Sequence, residues 1–179
     1  GDFNQALMDL GATICVPRNP RCEGCPIRTQ CQAHLTGRQG EFPVPKRRKS
    51  PRPQGAVALA IRRDGGFLLA RRPPQGLFGG LFDLPGDLLS GSESPDAAAI
   101  RVGEQRLGLS VCPVGAIGTI AHTLSHMRLT LHVLECEWTG QPHPSHYTEL
   151  RWVSAGQASR LGLSSLAQKA VDLLEGETP

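Results

Sequence analysis

The stretch "RRPPQGLFGGLFDLPGDLLSGSESPDAAAIRVGEQRLGL" spans residues 71–109, and its character changes about half-way along. Its first part is rich in proline and glycine, as loops are. Its second part predicts a helix, because Ser94 is a good N-cap residue, Pro95 suits the first helical position and Gly108 can end the segment. We therefore expect a long loop followed by a capped helix in the middle of the chain.

The segments on either side of this stretch have the alternating pattern of strands. "AVALAIR" places its larger apolar residues on one face, and "DGG" then joins it to "FLLARR" as a hairpin. "MRLTLHVLECEW" and "ELRWVS" predict two further strands. "LSSLAQKAVDLLE" predicts a closing helix whose apolar stripe is formed by Leu163, Leu166, Ala170 and Leu173. Residues 55–179 are therefore predicted to form one α+β domain with a mixed sheet.

The amino-terminal third is the basic part of the chain. Residues 1–54 contain nine Lys/Arg and four Asp/Glu, whereas residues 55–179 contain ten and twelve. "GEFPVPKRRKSPRPQG" carries four prolines and five basic residues without periodicity, so residues 40–54 are predicted to be a linker. A local cluster of cations favours a polyanionic partner, and a solvated linker is an equally good explanation of the charge alone.

Four of the six cysteines fall within seventeen residues, with the spacing C-x6-C-x2-C-x5-C. Without a secretory signal, a metal site is a better explanation of such a cluster than disulfides. One tight pair flanked by two unequal arms favours a 4Fe–4S cluster over tetrahedral zinc. Cys112 and Cys136 lie alone in apolar runs, where we expect them to be buried. The clustered cysteines are Cys15, Cys22, Cys25 and Cys31.

"FNQALMDLG" precedes the cysteines and predicts a helix that ends at Gly11. Residues 1–39 are too few to bury a core of their own. We therefore expect the sequence to be truncated upstream.

"FNQALMDLGATIC", followed by this cysteine spacing, resembles the end of the catalytic domain in the MutY family of adenine DNA glycosylases. The spacing is shared with the wider endonuclease III-like, helix-hairpin-helix superfamily. The resemblance implies that the four clustered cysteines ligate a 4Fe–4S cluster. It also implies that Arg18 and Arg21 of "VPRNPR" contact DNA phosphates and that Gln5 lines the adenine pocket. For Gln5, an ordinary helix-surface amide is an equally good explanation.

The stretch 71–109 resembles the Nudix hydrolase signature G-x5-E-x7-R-E-U-x-E-E-x-G-U, in which U is apolar. With Gly108 as its last glycine, Glu93 and Arg101 match, and the first glycine is displaced by one residue. Nudix hydrolysis needs carboxylates that hold magnesium against a pyrophosphate. We therefore predict the fold without the hydrolase activity. The positions of the metal-binding glutamates are occupied by Val102, Gln105 and Arg106.

"AHTLSHMRLTLHV" is similar to the loop with which the MutY family recognises 8-oxoguanine, whose usual pattern is His-x-Phe-Ser-His. The resemblance implies recognition roles for His122, Leu124, Ser125 and His126. A hydroxyl or backbone oxygen at Ser125 can accept a hydrogen bond from N7–H of 8-oxoguanine, where guanine offers only an acceptor. Leu124 stands where the family has phenylalanine, so wedging between bases is expected to be weaker.

The resemblance to the MutY family implies base excision repair. We expect a fragment of a glycosylase that removes adenine opposite 8-oxoguanine (or guanine), with the catalytic Glu and Asp upstream of Gly1. The expected partner is double-stranded DNA that carries this mispair, and the fragment itself is expected to be an inactive monomer. We also expect a cytoplasmic, nucleoid-associated location in a bacterium, no membrane contact, and a protein that docks on residues 40–54.

Three other functions are compatible with parts of the sequence. They are a lesion-binding or DNA-binding module without catalysis, a Nudix pyrophosphohydrolase, and a zinc-bound adaptor for nucleic acid.

Overall fold

The computed structural model describes residues 1–44, 50–124, 127–154 and 156–176, and it divides the chain into two compact units. Unit 1 comprises Gly1–Lys49 and unit 2 comprises Ser50–Pro179. In the part of the chain described, no helix has both the length and the apolar character needed to cross a membrane.

Unit 1 consists of short helical elements. Helix α1 spans Asp2–Thr13 and α2 spans Gln32–Leu35. Turns of 3₁₀-helix lie at Cys22–Gly24, Arg28–Gln30 and Gln39–Glu41. No described residue of this unit is buried, which agrees with the prediction that so short a segment cannot bury a core.

The prediction that α1 ends at Gly11 is wrong. The helix continues to Thr13, whose hydroxyl donates to the Asp9 carbonyl at 2.7 Å, and the Ile14 N–H still reaches the Leu10 carbonyl at 3.0 Å. These hydrogen bonds continue the helix past Gly11, so Gly11 does not adopt the left-handed conformation of a residue that ends a helix.

Unit 2 contains seven strands and two α-helices among its described residues. The strands are β1 (Arg52–Arg63), β2 (Gly66–Arg71), β3 (Phe82–Asp83), β4 (Gly86–Leu88), β5 (Ser110–Thr123), β6 (Met127–Thr139) and β7 (Glu149–Ser154). The helices are α3 (Pro95–Val102), which continues as a π-helical segment (Gly103–Leu107), and α4 (Ser165–Glu175), with a 3₁₀ turn at Ala158–Arg160.

The sheet is mixed, as predicted. Its main order is β3-β2-β1-β6-β5, while β4 also pairs with β1 and β7 with β2. Among the pairs of strands that the structure describes, β1 and β6 run parallel and the others run antiparallel. The predicted linker boundary needs correction, because Arg52 begins β1 and residues 52–54 pair with the first residues of β6. Residues 45–49 of that linker lie outside the described part.

The predicted hairpin and the two predicted ends of the box helix are confirmed. Asp64 and Gly65 both have positive φ angles, of 50° and 74°, as a two-residue turn between antiparallel strands requires. The Ser94 side chain accepts a hydrogen bond from the Ala97 N–H at 3.2 Å, and Gly108 adopts the left-handed conformation at the end of the π-helical segment.

Two hydrophobic cores lie on the two faces of the sheet. One core includes Leu131 and Val133 of β6 and packs against α4, and the other includes Leu59 of β1 and packs against α3. The stripe predicted for α4 is confirmed at Leu166 and Ala170, which are buried. Leu163 and Leu173 are only partly buried, and they pack against the same core. The buried residues of α4 are Leu166, Ala167, Ala170, Val171 and Leu174.

The burial predicted for the two isolated cysteines holds for only one of them. Cys136 is buried, whereas Cys112 is exposed. Cys112 pairs across the sheet with Glu137, which is also exposed, so both side chains lie on the solvent side of the two strands.

Candidate functional site

The degenerate Nudix box of unit 2 forms a network of ion pairs. Arg101 in α3 donates from Nε to Glu93 Oε1 at 2.8 Å and from Nη1 to Asp87 Oδ2 at 2.8 Å. This hydrogen bonding lowers the pKa of Glu93 to about 2, and it raises the pKa of Arg101. Both carboxylates are therefore occupied by a guanidinium of the protein itself.

Arg106 adds a second guanidinium to the network. Its Nη2 lies 2.6 Å from Asp87 Oδ2, and its Nη1 donates to the Gly86 carbonyl at 3.1 Å. Desolvation raises the pKa of Asp87, but the hydrogen bond from Arg101 and the charge of Arg106 outweigh it, so the net pKa is lowered. The Tyr147 hydroxyl accepts from the Gly86 N–H at 3.0 Å and fixes the same segment of backbone.

Val102 and Gln105 occupy the other two box positions at which a Nudix hydrolase has metal-binding glutamates. Val102 is fully buried in the α3-side core, and Gln105 is exposed. Across the described ranges, no group of three or more His, Cys, Asp or Glu side chains is arranged so that it could hold a metal ion.

A large cavity in unit 2 has a volume of about 580 Å³. It is lined by β1, by the loop that follows β2, by β3 and β4, and by the first half of β6. Apolar residues such as Leu84, Leu129 and Leu131 form much of its wall, and Arg106 reaches it from the ion-pair network. A concave, mostly apolar site with a few polar groups is typical of small-molecule binding.

Asp83 and Arg72 place opposite charges in this cavity. Arg72 Nη1 donates to Asp83 Oδ2 at 3.4 Å, and the Asp83 side chain is only 13% exposed. Burial raises the pKa of Asp83 to about 6, against the smaller opposing effects of Arg72 and of a hydrogen bond from the Leu84 backbone. The cavity thus contains a desolvated carboxyl group that ionises near neutral pH.

The predicted recognition segment is the hairpin that joins β5 to β6. His122 is half-buried in β5 opposite Leu129, and the Leu124 N–H donates to the Met127 carbonyl at 2.8 Å. Ser125 and His126 lie outside the described residues. Met127 and Leu129 also line the large cavity, so the hairpin begins at the edge of that cavity.

In unit 1, the four clustered cysteines line one small cavity of about 90 Å³. All six cysteines of the chain belong to the described part, and none forms a disulfide. Loss of hydration, together with the neighbouring cysteine sulfurs, raises the pKa of the Cys22 thiol. In their chemistry, four thiols around one cavity fit a four-thiolate centre. In the described residues they are not arranged as the ligands of a single metal ion.

The segment "VPRNPR" (residues 16–21), which carries the two predicted phosphate contacts, forms a loop whose ends are joined by a backbone hydrogen bond. The Arg21 N–H donates to the Ile14 carbonyl at 3.0 Å, and Asn19 between the two arginines has a φ angle of 53°. Arg18 and Arg21 are both exposed. Within the described residues, neither guanidinium is engaged in an ion pair.

Gln5 lies on the exposed surface of α1, where its Nε2 donates to Asp9 Oδ1 at 3.1 Å. This contact fits an ordinary surface amide, and it also leaves the carbonyl of the side chain available. The structure of unit 1 therefore does not distinguish the two explanations of Gln5.

A model of the NUDIX domain matches residues 56–173, which are 118 of the 179 residues. The chain belongs to the NUDIX domain family. The matched residues lie within unit 2, so the fold predicted from the stretch 71–109 is confirmed.

Curated relatives confirm the resemblance to the MutY family. The adenine DNA glycosylase of Rattus norvegicus is 26% identical over 221 residues, which cover 98% of this chain and 43% of that protein. The human adenine DNA glycosylase is 26% identical over 227 residues, which cover 100% of this chain and 42% of that protein. The enzyme of Arabidopsis thaliana is 28% identical over 204 residues, which cover 94% of this chain and 32% of that protein. The chain thus spans less than half the length of these relatives.

Solved structures resemble the NUDIX domain in fold. The MutT protein of Methanosarcina mazei Go1 has a TM-score of 0.66 at 21% identity and covers 72% of this chain and 97% of that one. The Escherichia coli ORF135 protein has a TM-score of 0.64 at 24% identity, with 70% and 91% covered. The C-terminal domain of mouse MUTYH, solved in complex with human PCNA, has a TM-score of 0.52 at 20% identity, with 69% and 88% covered.

Sequence reasoning missed the polar residues of the large cavity and of the ion-pair network. Asp83 stands between apolar residues in "LFDLPG", and a charged residue in such a run is a signal that could have identified it. Arg72, Asp87 and Tyr147 carried no comparable signal, because their roles depend on tertiary contacts between loops, strands and the box helix.

Proposed function

We propose that this chain is part of an adenine DNA glycosylase that removes adenine mispaired with 8-oxoguanine or guanine in base excision repair. The observation that carries this proposal is the alignment of nearly the whole chain, both units included, with adenine DNA glycosylases of animals and a plant. The loss of the Nudix carboxylates supports it, because a domain that cannot hold magnesium is suited to binding rather than to hydrolysis.

In this proposal, unit 2 recognises the 8-oxoguanine strand through the β5–β6 hairpin. The support is chemical: Ser125 offers an acceptor for N7–H, and His122 and His126 offer imidazoles to a phosphate or to the loop itself. Leu124 is half-buried, and its backbone N–H donates to the Met127 carbonyl, which fixes the backbone at this end of the loop.

Unit 1 contributes affinity for DNA in this proposal. Cys15, Cys22, Cys25 and Cys31 would hold a 4Fe–4S cluster, whose iron–thiolate bonds would pin the loop that they surround. Arg18 and Arg21, on the adjoining exposed arm, would then meet phosphates with little loss of conformational freedom.

The proposed reaction needs residues outside this chain. Adenine must leave the base stack, a general acid must protonate the departing base, and a carboxylate must stabilise the developing positive charge on the sugar. We assign none of these steps to a residue of the chain. In the same proposal Gln5 faces an edge of the extruded adenine, and residues 40–54 dock a protein partner.

Measurement of the iron and zinc content of the protein tests the proposed 4Fe–4S cluster. Protein prepared without oxygen is expected to contain about four iron atoms per chain, with the absorbance of an iron–sulfur cluster. Zinc at one equivalent, without iron, would instead support a zinc-bound adaptor.

Binding to short duplexes tests the two DNA contacts separately. Arg18→Ala and Arg21→Ala should weaken binding to every duplex and each should flatten its salt dependence, because phosphate contacts release counterions. Ser125→Ala should reduce the preference for 8-oxoguanine over guanine and leave general affinity nearly unchanged, with Ser159→Ala on an exposed turn as the matched control. An unchanged salt slope would remove the arginines from the interface, and an equal loss on both duplexes would remove Ser125 from lesion recognition.

Nudix hydrolysis is the second candidate, because the chain belongs to the NUDIX family. The occupied carboxylates of Asp87 and Glu93 argue against it. Magnesium-dependent turnover of oxidised nucleotides by the purified chain would reverse this preference.

A further inference from the structure

Two polar side-chain atoms of unit 1 are buried without a hydrogen-bond partner among the described residues. They are Nδ1 of His34 and Oε1 of Gln39. Both side chains line the cavity of about 90 Å³ that the four clustered cysteines share. A buried polar atom without a partner is costly and uncommon in a folded protein, so these two atoms indicate that a further group completes the site.

His34 belongs to this cavity because it follows a clustered cysteine by one helical turn. Cys31 is the N-cap residue of α2, and its carbonyl accepts from the Leu35 N–H at 2.9 Å. Side chains three residues apart on a helical turn lie on the same side of the helix. His34 is the third residue after Cys31, so the turn places its imidazole on the side of a predicted cluster ligand.

The two buried atoms differ in what they can bind. Nδ1 of a neutral imidazole can carry the proton and donate, whereas the Gln39 oxygen can only accept. The sulfurs of an iron–sulfur cluster and of its thiolate ligands accept hydrogen bonds. His34 Nδ1 is therefore the atom that suits a cluster sulfur. A hydrogen bond between His34 and Gln39, which would satisfy both atoms without a cluster, is the alternative.

The lining of the cavity favours a strong hydrogen bond at this position. Ile14, Val16 and Phe42 contribute apolar side chains to it. A hydrogen bond is electrostatically stronger where the effective dielectric constant is low. Partners of this kind around a metal centre orient its ligands and tune its reduction potential.

We propose that His34 Nδ1 donates a hydrogen bond to a sulfur of the 4Fe–4S cluster or of its cysteine ligands, and so raises the reduction potential of the cluster. This inference rests on the cluster of the proposed function. The reduced cluster is the more negatively charged form, so a hydrogen-bond donor stabilises it more than the oxidised form. His34 thus tunes the cluster and is not one of its ligands.

Electrochemistry of the 179-residue chain, prepared without oxygen, measures this potential. His34→Phe keeps a flat ring and removes the donor. The stability of the reduced cluster relative to the oxidised one should fall roughly tenfold, which lowers the potential of a one-electron couple by about 59 mV.

Two further variants show whether the donor itself is responsible. His34→Asn should keep the potential near that of the unaltered chain, because its amide nitrogen is attached to Cγ as Nδ1 is and can donate without carrying a charge. His146→Phe makes the same change as His34→Phe at an exposed residue of unit 2, and it should leave the potential unchanged. A potential as low in His34→Asn as in His34→Phe would overturn the proposal.

Iron content separates this inference from the proposed function. A chain without iron would overturn the cluster and this hydrogen bond with it. Iron at the expected content, with an unchanged potential in His34→Phe, would overturn the hydrogen bond alone and favour pairing of His34 with Gln39. If His34→Phe loses its iron, pulsed EPR of the unaltered chain labelled with ¹⁵N-histidine decides. A coupling between the paramagnetic cluster and an imidazole nitrogen is expected, and its absence would overturn the proposal.

Discussion

Replacing Asp83 with asparagine should change how the stability of unit 2 depends on pH. Burial raises the pKa of this carboxyl from 3.8 to about 6 in the folded protein. The folded state therefore binds the proton more tightly than the unfolded chain does, and this group lowers stability as pH rises from about 4 to about 6. Above that range, a pKa raised from 3.8 to about 6 corresponds to about 3 kcal/mol of destabilisation by the ionised carboxylate.

Asp83→Asn removes this cost and also removes the partner of Arg72. The lost ion pair, which is partly exposed on the Arg72 side, is worth about 1 kcal/mol or less. Relative to the unaltered chain, the variant should therefore gain up to about 3 kcal/mol more stability at pH 7.5 than at pH 4. Other carboxyls, such as Glu93 with its lowered pKa, are present in both proteins and cancel in this comparison.

Urea denaturation of the two proteins at both pH values, with Asp64→Asn as the control, measures this difference. The control changes a carboxylate that is 90% exposed and should show no such pH dependence. If Asp83→Asn were instead destabilised more at pH 7.5 than at pH 4, attraction to Arg72 would outweigh desolvation and the electrostatic account of the cavity would be refuted.

Three further outcomes are expected. Ser94→Ala should destabilise unit 2 by about 1 kcal/mol in urea denaturation, because α3 loses the acceptor for its first turn; no loss would mean that water replaces the cap. Gly65→Ala should cost about 1 kcal/mol in the same assay, because an L-residue is strained at a φ angle of 74°; an unchanged midpoint would show that the turn relaxes. Under native conditions an alkylating reagent should modify exposed Cys112 well before Cys136, whose pKa burial raises to about 12; equal labelling in peptide mapping would contradict the described sheet.

Much of the fold could be predicted because its signals are local. The Asp64–Gly65 turn, the Ser94 cap and the alternating pattern of β6 each occupy fewer than fifteen residues, and each predicted an element that the structure contains. The loss of the Nudix carboxylates was also readable, because the box has a fixed spacing within one helical segment.

The remaining features depend on contacts between distant segments. β1 pairs in parallel with β6, more than seventy residues later, and this pairing carries the start of β1 into the predicted linker at Arg52. The exposure of Cys112 follows from its pairing with Glu137, which no local pattern reveals. The ion pairs of Arg106 and the cavity around Asp83 likewise arise only when β3, β4 and the box helix come together.

We propose that unit 2 gives an adenine DNA glycosylase its preference for a lesion. The most direct test measures adenine release from duplexes with adenine opposite 8-oxoguanine or guanine, by the complete gene product that carries this chain and by the same product without residues 50–179. Deletion is expected to slow release opposite 8-oxoguanine to about the rate opposite guanine. Unchanged preference after deletion, or no release of adenine by the complete product, would contradict it.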